Sequence, residues 1–249
     1  MLRIGVVGIA VICGASATLA GGLEDCGQSK QRDRRIAACS QLIRANARNA
    51  DAYFNRGLAY WVRDQGQYSP NDDSTAVMVD PFRGILYTTS MLYRGSDLNA
   101  KAIADFDRVI ALNPKFVAAY IHRGRVHAAE SSGKAEPDFT RAIELDAQSA
   151  EAFFYRGSVR HGAEAMADLG RAIALNPSLA VAYNNRGVHG IDSSAAIEDY
   201  REALRLDVNL SVALNNLGVS LWGKKRLDGS HEDFQRGHRH GAASQRRIF

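Results

Sequence analysis

The chain is poor in cysteine, proline and aromatic residues: three Cys, five Pro, and 8% Phe, Trp and Tyr in 249 residues. So few cysteines exclude a disulfide-dense mini-protein. So few prolines exclude a collagen-like repeat. With 46% hydrophobic and 23% charged residues, the composition is not that of a disordered chain either. A packed and mostly helical protein remains, long enough for one large domain or a run of small units. Its net charge of +4 is unevenly placed. Between Gly223 and Phe249 seven Lys and Arg face three acids, so the rest of the chain is neutral. That argues against a general nucleic-acid binder. It leaves the basic end as a solvated tail or as a contact for an acidic neighbour.

Residues 1–20 carry one basic residue, Arg3, then an apolar stretch from Ile4 to Ile12, then small residues. Ala15-Ser16-Ala17 and Thr18-Leu19-Ala20 both suit a signal peptidase, and polar sequence follows at Glu24 and Asp25. This is the layout of a secretory leader. An uncleaved anchor is the alternative, since about 20 apolar residues can span a bilayer. Cys13 is not a lipoprotein site, because Ile12 stands where a small residue is needed. Export is expected, to the periplasm first, with secretion or anchoring as variants.

Beyond the leader the sequence repeats itself. The run Ala102 to Pro114, AIADFDRVIALNP, returns as AMADLGRAIALNP from Ala165 to Pro177. It returns again as AIEDYREALRLD from Ala196 and as FTRAIELD from Phe139. Apolar residues at i, i+4, i+7, i+8 and i+10 mark one face of a helix. Asn-Pro or Asp-X is expected to close it, proline being unable to continue a helix. A second element follows each closure: Tyr53-Phe-Asn-Arg-Gly57, Tyr120-Ile-His-Arg-Gly124, Phe153-Phe-Tyr-Arg-Gly157, Tyr183-Asn-Asn-Arg-Gly187 and Leu214-Asn-Asn-Leu-Gly218. From Pro114, Ala147, Pro177 and Val208 to the next aromatic or Leu is always six residues. The glycine, lacking Cβ, is expected to let a neighbouring helix backbone approach.

These residues resemble the tetratricopeptide repeat family, in its exported bacterial type with Asn-Arg-Gly-like repeats. Its unit is two antiparallel helices with aromatic, Gly, Ala, aromatic and Pro at set offsets. The resemblance covers roughly residues 30–241, with one regular departure: Arg56, Arg123, Arg156 and Arg186 stand where the family pattern has Leu. It implies an all-α fold, an α-solenoid of about six stacked helix pairs plus an N-terminal capping helix. The register gives a capping segment at 21–48, the solenoid at 49–241 and a basic tail at 242–249. Residues 67–98 read as a degenerate repeat, with Asp73 at the buried aromatic position and Met91 in place of the glycine; a long functional loop is the alternative. Run backwards, the register puts Cys39 on the aromatic position of an incomplete first pair, with Cys26 where its missing partner would end. In an exported chain those two are expected to form a disulfide that caps the solenoid.

A search for chemistry finds little. Gly218 to Lys225 nearly matches a phosphate-binding loop, but Lys225 replaces the Ser or Thr that must hold magnesium. His231, His238 and His240 lack supporting Cys or acidic ligands. Asp105, Asp138, Asp168 and Asp199 recur once per repeat, in separate layers, which suits packing or capping better than catalysis. His122, His127, His161 and His189 have no placeable Ser or Cys partner. No catalytic activity, cofactor or metal is expected. The resemblance implies function through surface: the concave face lined by the first helix of each pair. Its groove positions are Phe54, Leu58, Thr88, Leu92, Ile121, Arg125, Phe154, Ser158, Asn184, Val188, Asn215 and Val219. Phe and Ile would offer apolar pockets and Asn would read a peptide backbone, although the Phe and Ile positions can equally be inter-helix packing. Arg125 is the single cation in the set, so a grip on a chain-terminal carboxylate is not expected. The chain therefore reads as a non-enzymatic scaffold of the cell envelope that binds a protein or extended peptide, not nucleic acid, with no membrane span once mature. The alternatives are docking on anionic lipid or polysaccharide through the basic end, and a subunit of envelope assembly.

Overall fold

The computed structural model describes residues 22, 24–27, 31–61, 77–79, 86–88, 97–130, 133–190 and 194–225. The expected leader at 1–20, most of 67–98 and everything after 225 lie outside them. They fall into two compact units, one within Met1–Ser69 and Met91–Val159, the other within Pro70–Ser90 and Arg160–Phe249. None of the described helices is long and apolar enough to cross a membrane.

Five connections share one side-chain device. The helices α1 (Arg32–Ala45), α3 (Asp97–Leu112), α5 (Ala135–Leu145), α7 (Gly162–Leu175) and α9 (Ser194–Leu206) are each followed by Asn or Asp. The backbone N–H of Asn46, Asn113, Asp146, Asn176 and Asp207 still donates to the carbonyl four residues back, at 2.8–2.9 Å. The side-chain oxygen then accepts the N–H two residues on, at 2.9–3.2 Å. An Asx turn of this kind stops a helix without proline, which is why Ala47, Ala147 and Val208 serve as well as Pro114 and Pro177. In two cases the next helix is capped at once: Asn49 Oδ1 and Ser149 Oγ accept the N–H of Ala52 and Ala152 at 3.0 and 3.2 Å.

In the first unit α2 (Ala50–Trp61), α4 (Val117–Ala129) and α6 (Ala150–Val159) alternate with α1, α3 and α5, each packing on the next. The second unit holds α7, α8 (Ala180–His189), α9 and the helix 211–225, here α10. Pairing rests on a contact between a ring and a glycine. A Cβ on Gly57, Gly124 or Gly187 would stand 2.7–2.8 Å from the ring of Phe106, Phe139 or Tyr200. The glycine thus receives the flat face of the next helix's aromatic side chain. The expected approach of backbone is seen at Gly187, where the Ala196 carbonyl also lies 3.2 Å from that point.

The arginine that departs from the family pattern fastens this contact. Arg56 forks onto Asp105 with both bonds at 2.8 Å, Arg123 onto Asp138 at 2.6 and 3.0 Å, and Arg186 onto Asp199 at 2.6 and 2.9 Å. Each guanidinium also lies over the aromatic ring one turn earlier, Tyr53, Tyr120 or Tyr183, at 5.5–5.7 Å. The Arg precedes the glycine and the Asp precedes the ring, so one bidentate bond sets the register of the two helices. Hydrogen bonding to the carboxylate raises the pKa of all three arginines. In the third repeat Arg156 keeps its place over Phe153 and reaches Thr140, and Asp168 takes Arg160 at 3.1 Å.

The pattern also pairs α2 with α3: Gly57 meets Phe106 and Arg56 meets Asp105. Residues 62–96 stand between the two in sequence, and the stretch 67–98, read as a degenerate repeat with a long loop as the alternative, lies mostly outside the described residues. Where the register placed a helix ending at Pro81, Val77–Val79 (β1) is extended and pairs antiparallel with Leu86–Thr88 (β2), Met78 opposite Tyr87. β1 lies against α8 in the second unit. The physical reason is plain: Asp73 and Met91 supply neither ring nor glycine, and the β-branched Val77 and Val79 favour a strand. The pairs α2–α3, α4–α5 and α8–α9 are each closed by both ring and clamp.

The N-terminal cap is a disulfide, Cys26–Cys39, with Cα atoms 4.7 Å apart. Both cysteines are buried with Ala38, Leu42 and Ala52. Arg35 ties the cap to the solenoid, donating to the Cys26 carbonyl at 3.0 Å and to Asn55 of α2 at 3.2 Å. In the chain-entropy model a loop of this size contributes about 3 kcal/mol. Reduction, or Cys39→Ser, is expected to lower urea stability by roughly that amount and to increase amide exchange first in α1. Unchanged exchange in α1 would refute the capping role.

Breaking one clamp is expected to cost more than removing it whole. Asp138→Asn leaves Arg123 with only the Asp107 side of its network, 2.5 Å away, and is predicted to cost roughly 3 kcal/mol. Asp138→Leu combined with Arg123→Met should recover much of that loss. A urea-unfolding double-mutant cycle that gives additive values would remove the clamp from the account.

Candidate functional site

The proposed groove positions sort by burial into architecture and surface. In the first unit Phe54 and Leu58 pack against Ala102, Phe106 and Val126. The Phe54 ring lies 5.0 Å from Phe116, 5.9 Å from Phe106 and edge-on to His122 at 5.5 Å. Ile121 and Phe154 are buried, and Phe154 stacks at an angle on Tyr155 with centroids 5.0 Å apart. These apolar positions join helices, so in this structure they are packing residues and offer no open pocket. Ser158 is half-buried and donates its hydroxyl to the Phe154 carbonyl at 2.8 Å. The side chains of Thr88 and Leu92 lie outside the described residues.

Arg125 is the partly exposed cation of this unit's groove set. Its guanidinium sits 4.9 Å above the Tyr155 ring and lies 3.1 Å from His122 Nδ1. Arginine can only donate, so Nδ1 accepts and the imidazole proton is on Nε2. Burial, and secondarily the Arg125 charge, push the His122 pKa down to about 3, so the ring stays neutral and serves as an acceptor. Arg125 is thus held by a neutral ring nitrogen and an aromatic face.

The folded pKa of His122 lies below its unfolded value near 6.5. Its contribution is therefore fully present above pH 6.5 and lost progressively as pH falls toward 3, by about 1.4 kcal/mol per unit at most. His122→Asn is expected to flatten the stability profile in that window. An unchanged pH slope would exclude His122 as its source.

In the second unit the two Asn-Asn steps form a chain of amides. Asn216 donates to Asn184 at 2.9 Å, and Asn184 donates to Asn185 at 3.1 Å. All three are buried. Asn215, at the outer end, is exposed and reaches Asn216 at 3.5 Å. The sequence reading chose Asn184 and Asn215 and missed Asn185 and Asn216, although the repeated dipeptide at 184–185 and 215–216 was the available signal. Val188 is buried with Ala196 and Tyr200, and Leu217 and Val219 pack on that cluster. Asn215 is therefore the exposed polar position on this stretch, beside a shallow cleft of 320 Å³ lined by Leu214, Gly218, Val219 and Trp222.

The features weighed as chemistry take structural places. Helix α10 runs through Gly218 and Lys225, so the near-match to a phosphate loop has no loop. Asp105, Asp138 and Asp199 each hold the arginine before a glycine, and Asp168 holds Arg160; they fasten helices, a pairing that sequence spacing alone did not reveal. His161 and His189 meet edge-on with centroids 6.4 Å apart, and burial lowers the His189 pKa, with His161 adding to it. A cleft of 460 Å³ beside Arg123 includes His127, Lys134, Asp107 and Asp138. Among the described residues no three or more His, Cys, Asp or Glu gather as a metal site.

The sequence matches no family model and no curated protein. Solved structures do match. A crystal structure of MamA protein aligns with a TM-score of 0.52 at 16% identity, over 79% of this chain and 95% of that one. TTC0263, a thermophilic TPR protein in Thermus thermophilus, aligns with a TM-score of 0.50 at 15% identity, over 83% of this chain and 98% of that one. A human IFIT1 dimer with m7Gppp-AAAA aligns with a TM-score of 0.50 at 13% identity, over 89% of this chain and 49% of that one. One neighbour is seen with capped RNA, so the likeness extends to fold and leaves the partner open. With successive antiparallel helix pairs, rings on glycines and these neighbours, this chain has the α-solenoid fold of the tetratricopeptide repeat proteins.

Proposed function

We propose that this protein is a non-enzymatic scaffold of the cell envelope that holds a partner protein or an extended peptide along the groove-facing side of its first helices. The observation that carries the reading is the exposed Asn215 amide. Its amide reaches, at 3.5 Å, the chain that runs through Asn216 and Asn184 to Asn185. An amide both donates and accepts, as a peptide backbone requires. In the first unit Arg125, aimed by His122 and Tyr155, adds a cation suited to an acidic side chain or a backbone carbonyl. The buried Phe54, Ile121, Phe154, Asn184 and Val188 belong to the scaffold in this reading. Export rests on the leader-like residues 1–20 and on the capping disulfide, a bond that persists in oxidising compartments.

The test is photo-crosslinking in the native host with probes at Asn215 and Ser158 and a control at Ser244. A discrete protein adduct from Asn215 or Ser158, absent from Ser244, is expected. Adducts from Ser244 alone, lost in high salt, would replace this reading with docking of the basic end on an anionic surface.

A further inference from the structure

Two histidines of the second unit meet where α7 begins and α8 ends. His161 immediately precedes α7, and His189 is the last residue of α8. Their rings stand edge to face, with 66° between the planes and 6.4 Å between the centres. Neither takes part in the ring, glycine and clamp that build the pairs. His161 is exposed, and although it stands at the N-cap its side chain makes no capping hydrogen bond. His189 is half-buried, and its Nε2 lies out of solvent with no hydrogen-bond partner among the described residues. A ring nitrogen left in that state calls for a water or an ion.

The spacing suits an ion. A metal–nitrogen bond of about 2.0–2.1 Å places the metal about 3.2 Å from the centre of the ring that holds it. Two rings sharing one ion then have centres at most about 6.4 Å apart, and about 5.2 Å apart at the tetrahedral angle. The observed separation lies at the outer edge of that range, and rotation of the exposed His161 side chain can close the remaining distance of about 1 Å. Burial, with the His161 charge second, lowers the His189 pKa, so this ring is neutral at neutral pH, as a metal ligand must be. Beside His161, the Arg160 charge is opposed by Asp168 at 3.1 Å and Glu164 at 3.9 Å. The C-terminal end of α8 favours a cation next to His189.

We propose that His161 and His189 form a two-histidine site for a divalent transition ion of the Zn2+ type, with water completing its coordination. Two imidazoles without a coordinating carboxylate select zinc, copper or nickel over calcium and magnesium. The bound ion ties the start of α7 to the end of α8 and stabilises the second unit as its concentration rises.

Zn2+ alone is the probe, added to the full-length chain carrying His231→Gln, His238→Gln and His240→Gln, because those three histidines could take the ion themselves. Calorimetric titration is expected to show one ion per chain. His161→Gln, at an exposed position, should leave the helical circular dichroism unchanged. It should also weaken binding at least about tenfold, the loss that even an outer partner of a metal site causes. Zn2+ should raise the melting temperature of the parent and not that of His161→Gln. In NMR spectra the ring signals of His161 and His189 should shift on addition of Zn2+, and those of the buried His122 and His127 should not. No binding in this chain, or binding that survives His161→Gln, would overturn the proposal. Binding that appears only when His231, His238 and His240 are present would overturn it in favour of the C-terminal end.

Discussion

An aromatic ring laid flat on a glycine is the contact on which this structure depends. Phe106, Phe139 and Tyr200 are completely buried, and each reaches that state because the opposite helix carries no Cβ at the point of closest approach. A glycine inside a helix costs about 1 kcal/mol against alanine, while full burial of a ring contributes roughly 2–3 kcal/mol. The exchange favours the contact. It also demands register, since a ring one residue out of place would strike a side chain. The Arg–Asp fork supplies that register, because a planar guanidinium meets a carboxylate along two parallel bonds and tolerates little rotation. Apolar burial provides the attraction and the ion pair the alignment. The ring lying under each guanidinium, at 5.5–5.7 Å, helps hold the arginine in place.

The two kinds of connection then carry different freedoms. From one pair to the next the Asx turn is the same five times over, within a few tenths of an ångström. Inside a pair the chain varies: α8 and α9 are separated by four residues, while α2 and α3 are separated by 35. Loop closure costs only about 0.6 kcal/mol for each doubling of length, so the ring, glycine and clamp can close over a long connection.

The fold was legible in the residues wherever the sequence pattern coincides with a contact. The fixed six-residue junctions, the Cys26–Cys39 pair and the helices beginning near Tyr120, Phe153 and Tyr183 were readable because local chemistry sets them. The stretch 67–98 is hard to read for a physical reason. Ala76 to Pro81 has the apolar content of a second helix, and composition cannot tell a short buried helix from a strand. The evidence against a helix lay in Asp73 and Met91, residues that cannot make the pairing contact. The role of Arg56, Arg123 and Arg186 was hidden for another reason: 49 residues separate Arg56 from Asp105, but 15 separate Arg123 from Asp138 and 13 separate Arg186 from Asp199, and a varying interval leaves no period to find. The groove is the hardest part to read from sequence. Groove and interface positions follow one another on the same helical wheel, so spacing identifies a face, and only packing shows which of its residues are covered.

That distinction determines what recognition can consist of here. A partner meets what the scaffold leaves uncovered, and among the described groove positions two uncovered groups are polar and have neighbours behind them: Asn215 beside a chain of buried amides, Arg125 against His122 and Tyr155. Side chains packed in this way lose little conformational freedom on binding, where a free long side chain would lose about 0.5–1.5 kcal/mol. The buried polar residues beneath them carry a corresponding penalty if their bonds are broken, because an unsatisfied buried amide costs about 1–3 kcal/mol. Replacing Asn184 or Asn216 would therefore act first on the scaffold and only through it on a partner. Replacing Asn215, at the exposed end, would on the proposed reading act on the partner first.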